Sequence, residues 1–296
     1  MFGFGKKKKE EVKVEEQEEE VIKDGFMPVY NVKLLYTEEP KLNLENILAR
    51  LKKSCGEIDV ITADNNGDMM AVAFREHVVT YKDDKKVPSQ GVILKAKFEY
   101  DVDKLQGALQ QSWMFRDVEE TVIKARHQLV ITDMMAAGLE YKERLSLFQN
   151  LVIAVLEETD CIAVNWDPSE QFVHKEDYLK NVAEDCLYAA VNVRFYNVSD
   201  GDEGDMLMDT LGLSALGIPD LQCHFRNLDP NAVSNMLYNT AHYLYEKGDI
   251  IEDGHTVQGL KPEDKWLCQH EVALAGPERI VIDINPGKGF ASGNRN

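Results

Sequence analysis

Histidine and cysteine side chains near the C-terminus are the closest grouping of chemically versatile residues along the chain. Cys268 and His270 are two positions apart in an alternating apolar run, so they share one face of a strand with Trp266. His255 lies in the polar loop before this run. Such groups can bind a metal ion or transfer protons, but they lack the paired short spacings of zinc sites. We therefore expect no metal and no other cofactor, and expect a histidine here to bond a neighbouring acid such as Glu271 or Asp253.

A second candidate lies in the middle of the chain, where Trp166 and Asp167 end an apolar run just before Pro168. The carboxyl ends of strands often border clefts, so this pair could line a ligand site. A simple strand end is the alternative interpretation. The sequence identifies no catalytic residue, and the candidate binding residues are Trp166, Asp167, His255, Trp266 and His270.

Three segments resemble functional motifs but depart from each motif at a required position. Residues 286–293 have the spacing GxGxxxG with no helix expected after them to bind phosphate, so we expect a flexible C-terminal tail. Residues 212–217 are one residue too long for a nucleophile elbow. Residues 64–75 carry Met69 and Arg75 where a calcium loop needs glycine and glutamate. These patterns indicate turns rather than sites.

The overall charge of the chain restricts its partners. The 296 residues include 33 Lys and Arg against 52 Asp and Glu, which gives a net charge of −19. Because phosphates are repelled by such a surface, we exclude nucleic acid as a partner. No apolar run approaches the ~20 residues of a membrane span. Five cysteines without CxxC spacing, and no apolar leader after the first lysines, are typical of a cytoplasmic protein with reduced thiols.

Residues 1–26 are typical of a disordered, charged tail. Lysines at 6–9 are followed by a glutamate-rich stretch with few apolar residues, a composition that does not offset the entropy of ordering. The alternative is weak membrane contact through Phe2, Phe4 and the four lysines.

Strand and helix signals then alternate without the regular repeat of a βαβ protein. Asn66-Gly67 separates the alternating runs 58–63 and 69–74, which predicts a β-hairpin. Residues 140–158 form a helical pattern that is apolar on nearly every side, which is typical of a helix buried in the middle of a fold. These signals predict the α+β class.

The last third of the chain continues this mixture. Asp229 and Pro230 are an N-cap and first-turn pair that begins a helix, and Gly248 ends it. We predict mixed and antiparallel sheets with packed helices, forming two halves of one compact body. The halves are an N-terminal α+β region over residues 27–186 and a C-terminal domain over residues 187–296.

Several segments of the C-terminal half have a familiar sequence: 209–213, 219–225, 237–241, 248–256, 266–271 and 276–279. Together they resemble a bacterial family known as domain of unknown function 4261. The resemblance covers about residues 189–285, and segments 108–113 and 126–128 resemble the upstream part of such proteins. It implies no known reaction and no catalytic residue.

A wider similarity rests on a turn that contains Thr210, Gly212, Leu213 and Ser214, and on the helical pattern over residues 233–244. The turn and the helix are similar to the threonine-glycine-leucine-serine turn and the helix of Suppressor-of-fused-like modules. In bacteria that group is associated with immunity proteins that bind and neutralise toxins. The similarity therefore implies a protein partner.

Two functional hypotheses follow. The first is a protein-binding module, of which an immunity protein is one form, whose acidic surface attracts a basic partner. The second is a hydrolase-type or metal-assisted enzyme with a cleft between the halves, using His255, His270 or Asp133 as acid or base. The lack of a convergent catalytic set favours the first.

Overall fold

A computed structural model describes residues 29–63, 68–81, 84–199 and 201–293. The predicted tail over residues 1–26 and the turn at 64–67 lie outside these residues. Within them, thirteen strands and six α-helices confirm the α+β class. No described helix has both the length and the apolar character needed to cross a bilayer.

Seven antiparallel strands form the first sheet, in the order β2-β3-β4-β5-β1-β6-β7. β2 pairs with β3, as the hairpin signal predicts. The run predicted at 69–74 is the first part of a longer strand, β3, whose pairing with β4 has a register shift between Phe74 and Val78. The bounds are β1 Asn31–Tyr36, β2 Ile58–Ala63, β3 Met69–Thr80, β4 Lys86–Lys97, β5 His127–Met134, β6 Ala163–Trp166 and β7 Gln171–Val173.

Helices cover both faces of this sheet. Successive side chains of a strand point to opposite faces, so Leu34 packs into the larger core and Leu35 into a smaller one with α2 and α3. The predicted apolar helix is α4, whose buried residues lie on most of its sides in the larger core. The helices of this half are α1 Leu44–Cys55, α2 Val102–Gln111, α3 Val118–Val122, α4 Tyr141–Leu156 and α5 Lys175–Asn181.

Six strands form the second sheet, in the order β11-β12-β13-β10-β9-β8, with one parallel pair between β10 and β13. Its helix, α6 (Pro230–Lys247), packs on β8, β9 and β10. The Asp229 carboxylate accepts the Asn231 N–H at 3.0 Å, and Gly248 follows the last turn, as predicted. The strands are β8 Asn192–Asn197, β9 Met206–Leu211, β10 Asp220–Phe225, β11 Thr256–Gln258, β12 Lys265–Val272 and β13 Ile280–Asn285.

The two sheets share one apolar core. A single cluster of buried side chains runs from Leu34 in β1 to Ile284 in β13. The Tyr30 hydroxyl also donates to the Ala215 carbonyl at 3.1 Å, which joins the start of the first sheet to the second. The halves therefore form one body. The domain division at 186/187 stays a prediction.

The C-terminal segment, expected as a flexible tail, is attached to β10. The Ser292 N–H donates to the His224 carbonyl at 3.1 Å, and the Ser292 hydroxyl donates to Asp205 at 2.8 Å. Ala291 forms an isolated bridge with Phe225. The expectation was wrong because these bonds are long-range contacts, which local composition does not reveal.

Candidate functional site

A groove of about 970 Å³ separates α6 from the segment that leads into and through β11. One wall is a face of α6, and the other is the chain from Ile250 to Leu260. No Asp, Glu, Lys or Arg is among its lining residues, although the whole chain carries a charge of −19. The lining residues are Ala232, Asn235, Met236, Asn239, Thr240, Tyr243, Ile250, Ile251, Gly254, His255, Thr256, Val257, Gln258, Gly259 and Leu260.

The helix wall is exposed but uncharged. Asn235, Asn239 and Tyr243 are four residues apart, so they form one stripe along α6, and Tyr243 is 47% exposed. Residues 230–245 contain no Asp, Glu, Lys or Arg. A solvent-facing helix surface normally carries charge. The sequence analysis did not identify this stripe, and the signal that could have identified it is the lack of charged residues over 230–245.

The strand wall is the edge of the second sheet. β11 pairs with β12 through Val257 opposite Trp266 and is the terminal strand in the sheet order. Gly259 packs directly on the Trp266 indole, where a Cβ would overlap the ring. Trp266 is thus a buried support beneath the groove wall rather than a lining residue.

The two predicted histidines hold the loop at one end of the groove. His255 lines the groove, and its Nδ1 accepts the Glu252 N–H at 3.1 Å. His270 is outside the lining; its backbone N–H lies 2.7 Å and its ring Nδ1 2.8 Å from the same Asp253 oxygen. Hydrogen bonds from the His270 backbone and ring hold the pKa of Asp253 below its usual value. His270 therefore bonds a nearby carboxylate, as expected.

Trp266, Cys268 and His270 share the inward face of β12, as the alternation predicts. Cys268 is fully buried, and this burial raises the pKa of its thiol to about 11, which disfavours the thiolate that a metal requires. Across the described ranges, no group of three or more His, Cys, Asp or Glu side chains is placed to hold a metal ion.

Trp166 ends β6 of the first sheet, Asp167 begins the short helical turn after it, and neither residue lines the groove. The Trp166 ring is buried in an edge-to-face contact with Phe148, with the centroids 5.7 Å apart. Asp167 lies 2.8 Å from the Lys33 ammonium. Burial raises the pKa of Asp167, although Lys33 opposes the shift. The fold thus brings His255 and Trp266 to one region and leaves Trp166 and Asp167 in another.

A buried ionic network explains several of the residues that carried the resemblance. Arg194 donates to Asp209 through Nε at 2.9 Å and Nη2 at 2.6 Å. Arg279 bridges the carboxylates of Asp209 and Asp220, at 2.7 and 3.1 Å. Asp220 also accepts the Thr210 hydroxyl at 2.9 Å. All four charged side chains are buried. Because they lie on β8, β9, β10 and the loop before β13, the network joins these elements.

Comparison with known proteins finds one family-model match, which covers most of the second sheet. The family model DUF4261, a domain of unknown function, matches residues 209–285. The match runs from β9 to β13 and therefore includes both walls of the groove and three members of the ionic network. It confirms the resemblance for this part of the chain. No curated protein and no solved structure matches the chain.

Proposed function

We propose that the protein is a binding module that holds a segment of another protein in the groove between α6 and β11. The observation that carries the proposal is the exposed but charge-free face of α6 in a strongly acidic chain. Covering a charged side chain costs desolvation free energy, whereas covering amides and a tyrosine costs less. A surface without charge is therefore suited to being covered by a partner.

The chemistry of the lining also suits a polypeptide. The side-chain amides of Asn235, Asn239 and Gln258 have donors and acceptors that match the peptide group. Tyr243 offers a rigid aromatic surface of the kind enriched at protein interfaces. Met236 and Val257 add apolar surface between them.

The charge of the whole chain adds a preference for a basic partner. A net charge of −19 raises the rate of encounter with a positively charged protein, and this effect becomes weaker as the salt concentration rises. We place this encounter in the cytoplasm of a bacterium. The similarity to Suppressor-of-fused-like modules extends the proposal to an immunity role, in which the partner is a toxin.

The enzyme hypothesis receives no such support. A cavity of about 220 Å³ does lie between α2 of the first half and β8 and α6 of the second. Its lining consists of amide, apolar and small polar side chains, with no Asp, Glu, His, Cys or Lys to act as acid, base or nucleophile. The lining residues are Gln110, Gln111, Trp113, Val193, Phe195, Met208, Pro230, Asn231 and Ser234.

Site-specific photo-crosslinking tests the proposal. A benzophenone amino acid at Tyr243, in the groove, is expected to capture a partner from the native cell, and Asn239→Arg is expected to abolish capture by placing charge and bulk in the groove. The same photoprobe at Tyr81, which is exposed on the first sheet, is the matched position control. Asn197→Arg, on the opposite edge strand β8, is the matched charge control.

Equal crosslinking from Tyr243 and Tyr81, or capture that survives Asn239→Arg, would refute a binding role for the groove. Repeating the capture at about 0.5 M salt, where the Debye length is about 4 Å, tests the basic character of the partner. A yield that is unchanged by salt contradicts electrostatic steering.

A further inference from the structure

We infer that the partner segment binds as an added β-strand along the outer edge of β11, with a basic residue at the end of the groove next to Ile250. This inference rests on the proposed function and specifies the shape and charge of the occupant. Strand addition to a sheet edge obtains affinity from backbone hydrogen bonds and specificity from alternate side chains.

The position of β11 supplies the free edge. β11 is terminal in the sheet, with β12 on one side and no strand of the described chain on the other. In an antiparallel pair, alternate residues direct their backbone groups away from the neighbouring strand. Those outward groups face the side on which a further strand would pair.

The groove touches the strand along its edge rather than on one face. Alternate side chains of a strand point to opposite faces, so a pocket on one face is lined by every second residue. Here all three residues of β11, Thr256–Gln258, line the groove, together with the residues on either side of the strand. A cavity in contact with consecutive strand residues lies beside the backbone.

The dimensions of the groove match a short extended chain. From Ala232 to Tyr243 the helix wall is about 16 Å long at ~1.5 Å per residue, which corresponds to about five residues of extended chain at ~3.3 Å each.

Charge distinguishes the two ends of the groove. The loop at the Ile250 end carries Asp249, Glu252 and Asp253, and all three side chains are substantially exposed. At the Leu260 end, two basic and two acidic residues lie close together in the chain, so their charges largely cancel: Lys261, Glu263, Asp264 and Lys265. A lysine or arginine of the bound strand is therefore favoured at the first end, which gives the strand one direction.

A peptide selected on the full-length protein tests the inference. Random dodecapeptides displayed on phage are selected against the wild type and counter-selected against Asn239→Arg, and the recovered peptide is measured by fluorescence polarisation. Its backbone amides are then N-methylated one at a time. We expect methylation at every second position to weaken binding about tenfold, because each outward bond to β11 is lost, and the positions between to be tolerated.

A second pair of variants tests the charged end. Asp249→Asn with Glu252→Gln is expected to weaken a peptide that ends in lysine several-fold and to leave the same peptide ending in glutamine unchanged. Asp103→Asn with Glu120→Gln removes two exposed acids on α2 and α3 and is the matched control.

The outcomes separate the inference from the function on which it rests. Strand addition is overturned if a peptide that requires Asn239 tolerates N-methylation at every position, or if it loses affinity equally at all positions. Either result leaves the proposed binding role of the groove intact. Equal affinity of the lysine and glutamine peptides overturns the charged end. Failure to select any peptide that distinguishes the wild type from Asn239→Arg contradicts the proposed function itself.

Discussion

Replacing Arg279 by methionine is expected to be the most destabilising single change in the ionic network of the second sheet. The guanidinium is only 1% exposed and donates to two carboxylates, Asp209 and Asp220. It also donates to the carbonyls of Thr210, Ala275 and Pro277, at 2.9, 3.0 and 2.9 Å. Methionine keeps most of the length of the side chain but removes every donor.

The magnitude follows from what the substitution leaves behind. Asp209 retains Arg194, and Asp220 retains the Thr210 hydroxyl and the N–H groups of Leu213 and Ser214. Two buried carboxylates then share one buried cation. Removing one partner of a buried ion pair costs about 3–5 kcal/mol. At a urea dependence of about 2–3 kcal/mol per M, the unfolding midpoint is expected to fall by about 1–2.5 M.

Urea unfolding followed by circular dichroism and tryptophan fluorescence measures the effect. Arg75→Met is the matched control, since Arg75 pairs with Asp59 on the surface at 2.5 Å and its loss is expected to change the midpoint little. Adding Asp220→Asn to Arg279→Met is expected to recover part of the loss, because it removes one uncompensated charge. A midpoint for Arg279→Met as close to the wild type as that of Arg75→Met would refute the reasoning.

Three further changes test other parts of the structure. In Ellman titration of the native protein, half-buried Cys186 is expected to react first and buried Cys161 and Cys268 slowly, because pKa values of about 12 and about 11 leave at most about one thiol in a thousand ionised at pH 8; Cys186→Ser should remove the fast phase, and its persistence would contradict the assignment. Gly212→Ala is expected to lower the free energy of unfolding by about 2–4 kcal/mol, because φ is +134° and a Cβ would overlap the Ala190 carbonyl; an unchanged melting curve would contradict this. Burial raises the pKa of Asp205, but its hydrogen bonds and a nearby arginine outweigh burial and hold it below the ordinary 3.8. The ionised form therefore stabilises the fold above that value, and the stability is lost as pH falls through the lowered pKa, so Asp205→Asn should flatten the acid limb of stability against pH.

The pairing of His270 with Asp253 shows which features of the site the local sequence pattern predicts and which it does not. The alternation of β12 places Trp266, Cys268 and His270 on one face, and the structure has them there. The partner of His270 is 17 residues away, and the sequence names it only as one of several nearby acids. Trp166 shows the limit, because a strand end gives no sign of whether it meets a cleft or a packed core.

The amino-acid sequence by itself determined the α+β class, the buried character of α4, and the beginning and end of α6. Those features depend on residue periodicity and on caps within one turn, which are local properties. The absence of charge from residues 230–245 was also present in the sequence, although its meaning depended on what lies beside the helix.

Tertiary structure alone decided that β11 is a strand and that it lies beside α6. Three residues are too few for a periodic signal, so β11 exists through its pairing with β12 and through the contact of Gly259 with Trp266. The same holds for the attachment of Ser292 to Asp205 and for the separation of Asp167 from His255. Each is a contact between distant parts of the chain, and its free energy is gained only when the whole core forms.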